Sequence, residues 1–181
     1  MSKIILITGG ARCGKSSFAE DYVRKIGKKI AYIATSQIYD EEMAYRVKLH
    51  QNRRPDNWQT YEAPFEAHKA ITQALQAHDT ILFDCLTLYL SNYLCSEKNS
   101  DYSMSELSTG AKKMMSDLIE AVQQTAEKTC IFVTNEVGSG IVPENALARK
   151  YRDLAGLCNQ QIAKAADEVY FVVSGIPVKI K

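Results

Sequence analysis

Ile4-Ile5-Leu6-Ile7-Thr8-Gly9-Gly10-Ala11-Arg12-Cys13-Gly14-Lys15-Ser16-Ser17 is an apolar strand that runs directly into the pattern G-x-x-x-x-G-K-S. A polyphosphate needs several backbone N–H groups converging on it from a loop with no side chains in the way, and Gly9 and Gly14 supply that freedom. Lys15 would set an ammonium against the β and γ phosphates, and Ser16 would offer a hydroxyl to Mg²⁺. The helix opening near Lys15 would turn its positive dipole end toward the same anion. A glycine-rich strand-to-helix turn can also bind nothing. Here a strand precedes the motif and a helix-like run, Ser17 to Ile26, follows it, which is the context nucleotide binding demands.

Outward from this stretch, four further apolar runs read as buried strands: Lys29 to Thr35, Thr80 to Asp84, Thr129 to Thr134, and Glu168 to Ser174, the last continued by Val178 to Ile180. Helical patterns separate them, including a polar excursion from Asp40 to Arg54 and a helix over Phe65 to Ala77, with an exposed, turn-rich connection at Ser96 to Ser105. Strands alternating with helices imply parallel pairing with crossovers. The expected fold is a single α/β domain over residues 1–181, a three-layer P-loop nucleotide-hydrolase-like fold with a mainly parallel sheet and nucleotide at the carboxyl ends of its strands. Pro143 suits the first turn of a helix beginning near Val142, with Leu147, Tyr151, Leu154, Cys158 and Ile162 as a packing stripe. Arg149 and Arg152 lie off that stripe; a solvated helix face is favoured over contact with a phosphate or a neighbouring subunit.

Composition bounds the partners. A net charge of +1 gives no global basic field for nucleic acid, so any anion site must be local. Five cysteines, Cys13, Cys85, Cys95, Cys130 and Cys158, form no C-x-x-C pair and are odd in number, which reads as reduced thiols in a cytoplasmic protein. The apolar run at the amino terminus breaks at Gly9-Gly10, too early for a secretory signal, and no segment approaches the ~18 apolar residues of a membrane span.

Asp84 closes Thr80-Ile81-Leu82-Phe83-Asp84, a carboxylate at a strand end, where the second strand of a phosphate site holds Mg²⁺. By itself the pattern favours an Asp capping the next turn; the upstream loop reverses that preference toward the metal. His50 sits on the helix-like stretch that Asp40 starts and Pro55 stops, and two stripes compete for it. Met43, Val47 and His50 describe a packed histidine. Arg46, His50 and Arg53 or Arg54 describe a cationic phosphate site, where neighbouring guanidiniums would keep the imidazole neutral and able to attack phosphorus. His68 and His78 read as surface groups, and neither a metal-ligand cluster nor a G-x-S-x-G elbow is present in the sequence.

Taken together, Gly9-Gly10-Ala11-Arg12-x-Gly14-Lys15-Ser16, Tyr32-Ile33-Ala34-Thr35-Ser36, Asp40-x-Glu42-Met43-x-x-Arg46-x-x-x-His50, Arg54-Pro55-x-x-Trp58-x-Thr60-x-Glu62, Thr134-Asn135-Glu136-Val137-Gly138-x-Gly140-Ile141-Val142-Pro143, Ala148-Arg149-x-x-Arg152-Asp153 and Val173-Ser174-Gly175-Ile176-x-Val178-Lys179 resemble the bifunctional adenosylcobinamide kinase/adenosylcobinamide-phosphate guanylyltransferase family of cobalamin synthesis. The resemblance implies phosphorylation of adenosylcobinamide by ATP or GTP, then transfer of GMP from GTP onto adenosylcobinamide phosphate through a guanylyl group carried on a histidine, here His50. It implies that GTP lies on Gly9, Gly10, Ala11, Arg12, Cys13, Gly14, Lys15 and Ser16, on Ala34, Thr35 and Ser36, on Gln51, Asn52, Arg53 and Arg54, and on Glu62 and Asp84, with Mg²⁺ at Ser16 and Asp84. It also implies a homotrimer with sites between subunits. Cys13 replaces an expected serine at a position that contributes mainly its N–H, and Leu49 stands where relatives can carry a second histidine, leaving His50 the local candidate. The alternatives are a small-molecule kinase with a structural His50 and a GTP switch, the latter without an N-K-x-D base-reading motif.

Overall fold

The computed structural model describes residues 2–52 and 54–181, and the side chains of all of these but Glu42, Met43, Arg46, His50, Gln51 and Asn52. Its strands are β1 (Lys3–Gly9), β2 (Ile30–Ala34), β3 (Gln59–Glu62), β4 (Thr80–Asp84), β5 (Thr129–Val133), β6 (Glu168–Val173) and β7 (Ile176–Lys179). They form one sheet in the order β3-β2-β4-β5-β1-β6-β7, parallel throughout except for the antiparallel β6–β7 pair. The helices are α1 (Lys15–Ile26), α2 (Glu41–Asn52), α3 (Ala67–Ala77), α4 (Leu86–Leu94), α5 (Met104–Gln123) and α6 (Ala146–Ala165).

The central strands are continuous apolar runs because both faces of the sheet are covered. Successive side chains point to opposite faces. Ile4, Leu6, Ile81, Phe83 and Phe132 therefore pack on one side with α3, α4, α5 and α6, through Ile71, Leu90, Met115 and Ile162 among others. Ile5, Ile7, Leu82, Ile131 and Val133 pack on the other with Ala19 and Val23 of α1. Local signals fix the helix starts. Ser103 and Glu106 make a reciprocal capping box at α5, and the Asn145 side chain accepts from Ala148 N–H at α6.

The structure departs from the sequence reading in several places. β3 went unread because it is a four-residue, mostly exposed edge strand whose only pairing is to β2. The final strand does not continue β6: Ser174 (φ 50°) and Gly175 (φ 82°) are both left-handed, a geometry that reverses the chain and pairs Ile176 back on Val173. The last long helix opens at Ala146 rather than near Val142, so Pro143 precedes it and its carbonyl accepts from Arg149 Nη1. Leu147 accordingly leaves the packing stripe and is half exposed, while Leu154, Cys158 and Ile162 are buried. His78 is buried rather than at the surface, with Nδ1 3.0 Å from the Ala74 carbonyl and its ring edge-on to Tyr61. All five cysteines are unpaired, as expected.

Glu168, at the head of β6, ties three strands together. It accepts from Lys3 Nζ of β1, from the hydroxyls of Tyr22 and Tyr170, and lies 3.5 Å from Lys179 Nζ of β7. The Lys3 hydrogen bond foremost, then that from Tyr170, pulls its carboxyl down to about 2 from 4.5. A carboxyl depressed on folding contributes stability that is present above its unfolded value and is lost as pH falls from about 4.5 toward 2. Glu168→Gln is expected to lower the melting temperature at pH 7 and to converge with the parent chain near pH 2; thermal melts across that range check it, and a pH-independent offset would refute it.

Candidate active site

At the carboxyl end of β1 the chain turns through Gly9 to Ser16 and enters α1. A Cβ on Gly9 would lie 2.5 Å from the Val172 carbonyl oxygen of β6, so no side chain fits where the loop leaves the sheet. Gly14 caps α1 with φ 95°, and a Cβ there would meet Gly175 Cα at 3.1 Å. Gly175 N–H also donates to the Cys13 carbonyl at 2.7 Å. The β6–β7 turn thus buttresses the loop from outside, a contact the sequence did not disclose. Lys15 is buried and donates to the Gly10 carbonyl at 3.1 Å, across the mouth of the loop. No acidic residue occupies the first turn of α1, so the positive end of the helix is left for an anion.

β4 supplies the facing wall, and it is not the neighbour of β1. β5 lies between them, with Val133 in register with Ile7 on one side and with Asp84 on the other. Asp84 therefore stands across one strand's width from the loop. The gap is closed by the residues after β5: Thr134 N–H donates to the Ile7 carbonyl and Glu136 N–H to the Gly9 carbonyl, both at 3.0 Å. Between them the Asn135 backbone is held by Thr87 Oγ1 and Asn159 Nδ2, while its own Oδ1 is buried without a partner among the described residues. Burial foremost, then the charge of Asp84, raises the neighbouring Cys85 thiol to about 11, and the Lys15 ammonium is close enough to oppose that shift. One electrostatic neighbourhood holds Lys15, Asp84 and Cys85.

The end of β2 completes the rim. Ala34 and Ser36 are half-buried there, but Thr35 is fully buried and committed to the protein. Its hydroxyl donates to the Cys85 carbonyl and accepts from Cys85 N–H, both at 2.8 Å, and its carbonyl accepts from Asn92 Nδ2. Thr35 thus fixes the chain just after Asp84, with its hydroxyl proton already committed to the Cys85 carbonyl. Glu62, paired with Ala34, is exposed at the end of β3 and borders a cleft of about 290 Å³ lined also by Phe65, Lys69 and Gln73.

Tyr32, to which the sequence reading gave no role, donates to Asp84 Oδ2 at 2.8 Å. The Arg54 guanidinium stacks on its ring with Cζ 3.3 Å from the centroid and donates through Nη1 to Thr60 Oγ1; its Nε is buried without a partner among the described residues. Burial foremost, then the charge of Asp84, holds the Tyr32 hydroxyl well above its ordinary pKa, so it remains a donor. α2 forms over Glu41–Asn52, within the expected bounds. Of the residues read there as site candidates, Arg53 and the side chains of His50, Gln51 and Asn52 lie outside the described residues.

The described residues contain no group of three His, Cys, Asp or Glu side chains able to hold a metal by themselves. The Ser16 hydroxyl and the Asp84 carboxylate are nevertheless hard oxygen donors of the kind Mg²⁺ takes, since it keeps several waters and binds through one or two side chains plus substrate phosphates. No helix among the described residues is long and apolar enough to cross a membrane.

Comparison with known proteins is consistent with this arrangement. The bifunctional adenosylcobalamin biosynthesis protein CobU of Salmonella typhimurium is 46% identical over 184 residues, spanning 98% of this chain and 99% of its own, and that of Escherichia coli K12 is 44% identical over the same shares. The corresponding CobP of Pseudomonas aeruginosa is 37% identical, over 97% and 96%. Among solved structures, a prototypical ATPase from the type III secretion system of pathogenic bacteria superposes with a TM-score of 0.60 at 13% identity, over 98% of this chain and 56% of that one. The assembled ATPase EscN of enteropathogenic E. coli does so with 0.57 at 12%, over 95% and 43%. At such identity the likeness speaks for the fold alone, a mostly parallel α/β sheet related to those ATPases. The family described as cobinamide kinase / cobinamide phosphate guanyltransferase matches residues 5–180, and the chain belongs to it.

Proposed function

We propose that the bifunctional cobinamide kinase and guanylyltransferase activity of this chain, which its family membership establishes, runs through the Gly9–Ser16 loop, Asp84 and His50. The observation that carries the reading is the loop itself, with Lys15 resting on the Gly10 carbonyl and Asp84 facing it across β5. A polyphosphate would take over the Lys15 ammonium and the N–H groups at the start of α1. In the kinase half, the aminopropanol hydroxyl of adenosylcobinamide attacks the γ-phosphorus of ATP or GTP, a P–O bond forms as the bridge to the β-phosphate breaks, and the nucleoside diphosphate leaves. Mg²⁺ held near Ser16 and Asp84 would neutralise charge building on the phosphate oxygens.

In the guanylyl half, a neutral His50 nitrogen attacks the α-phosphorus of GTP, an N–P bond forms and pyrophosphate leaves; the phosphate of adenosylcobinamide phosphate then displaces the imidazole to give adenosylcobinamide-GDP. Arg54 supports placing Gln51 to Arg54 at the nucleotide, since its stack on Tyr32 brings the end of α2 to the strand next to Asp84. Ala34, Thr35, Ser36 and Glu62 would line the same rim, with Thr35 also holding the backbone of Cys85, next to Asp84. A cytoplasmic homotrimer with sites between subunits belongs to the same reading; three buried, unpaired thiols support the first part, and the exposed Ile141 and Val142 ahead of α6, with Leu147 in its first turn, the second.

Incubation with GTP labelled at the α-phosphate is expected to leave an acid-labile, base-stable label on the protein. His50→Ala should abolish that label while phosphorylation of cobinamide persists; a label that survives the substitution would exclude His50 as the carrier. Lys15→Ala and Asp84→Asn are each expected to slow the kinase step about 10²- to 10³-fold. Unchanged rates in both would remove the loop and Asp84 from the phosphoryl-transfer site.

A further inference from the structure

A strand-end carboxylate serves a metal only if its rotation is fixed, because a freely turning carboxyl spends its time in orientations the metal and its waters cannot use. In this chain one group that bonds the carboxylate comes from β2. Tyr32 stands on β2, two residues before the Ala34–Asp84 pairing and so on the same face, and its hydroxyl reaches Asp84 Oδ2 at 2.8 Å. A buried tyrosine needs an acceptor for its hydroxyl wherever it is placed. What is particular here is the acceptor, the carboxylate facing the phosphate loop, and the group on the other side of the ring.

That group is Arg54, whose Cζ lies over the Tyr32 ring, 3.3 Å from its centroid, and which is anchored on β3 through Thr60. Arg54 lies two residues beyond Asn52, the last residue of α2, the helix that carries His50. Close in sequence to the end of that helix, a cation thus sits over an aromatic ring whose hydroxyl is on Asp84. Trp58, buried on the same face with Tyr32, backs the segment between α2 and β3.

We propose that Tyr32 is a positioning residue for Asp84, and that Arg54, clamped on its ring, makes the orientation of that carboxylate depend on where α2 ends. The two half-reactions are thereby coupled through the protein: a shift of the helix bearing His50 changes how well the kinase carboxylate is held. This rests on the reading of Asp84 as the metal-side carboxylate.

Tyr32→Phe deletes only the hydroxyl and leaves the ring under Arg54. Mn²⁺, used as the probe for Mg²⁺ and followed by electron paramagnetic resonance with GDP bound, is expected to bind about 10-fold more weakly to Tyr32→Phe, with GDP affinity in the absence of metal changed less than 2-fold. The Mg²⁺ concentration giving half-maximal kinase velocity should rise by the same factor, and kcat should recover at saturating Mg²⁺. A merely structural role would lower the melting temperature without moving the metal dependence. Arg54→Lys, which keeps the charge and gives up the flat stack, should shift Mn²⁺ binding in the same direction. Unchanged Mn²⁺ binding in Tyr32→Phe overturns the proposal, and an unchanged Arg54→Lys removes the link to α2. If Asp84→Asn also leaves Mn²⁺ binding intact, the reading of Asp84 fails first and takes this inference with it.

Discussion

Parallel pairing of Val133 with Ile7 on one side and Asp84 on the other is the constraint on which the site depends. It sets the end of β1, where the Gly9–Ser16 loop begins, and the Asp84 carboxylate on either side of β5 at the same end of the sheet. A shift of β5 by one residue would move every side chain of that strand to the opposite face, exposing Phe132 and Ile131 to the wrong core. Register is enforced by packing in the core directly beneath, where Phe83 and Phe132 meet at 5.2 Å between centroids and both faces of the sheet are filled.

Around that frame, contacts within the protein do much of the arranging. The Thr35 hydroxyl bonds both the N–H and the carbonyl of Cys85, the Asn135 backbone is pinned from α4 and α6, and the β6–β7 turn presses Gly175 against the Gly9–Ser16 loop. Each fixes backbone. Such preorganisation matters for phosphoryl transfer, in which little covalent chemistry falls to the protein and positioning with charge stabilisation supplies the rate.

The family's two activities act on one chain, and in the reading proposed above both are placed at this end of the sheet. Arg54 would be where they meet, because it lies two residues beyond α2 and its guanidinium sits over the tyrosine that bonds Asp84. A planar, permanently charged group suits that place, since a lysine could not lie flat on the ring.

The sequence by itself determined the phosphate loop, the central strands and the strand-end Asp84, because each is a local pattern: fixed glycine spacing, an apolar run long enough to be buried on both faces, a carboxylate where the run stops. It determined the extent of α2 as well, through Asp40 and Pro55 at its ends. Only tertiary structure decided strand order, since nothing local to β5 says that it inserts between β1 and β4, and hence that Asn135 stands in the gap. The β6–β7 reversal turned on two left-handed residues, Ser174 and Gly175, in a run whose apolar pattern passes straight through them. Tyr32 reads in sequence as one more core aromatic; the acceptor of its hydroxyl lies on another strand, and long-range partners of that kind are set by how the chain packs rather than by what stands beside them.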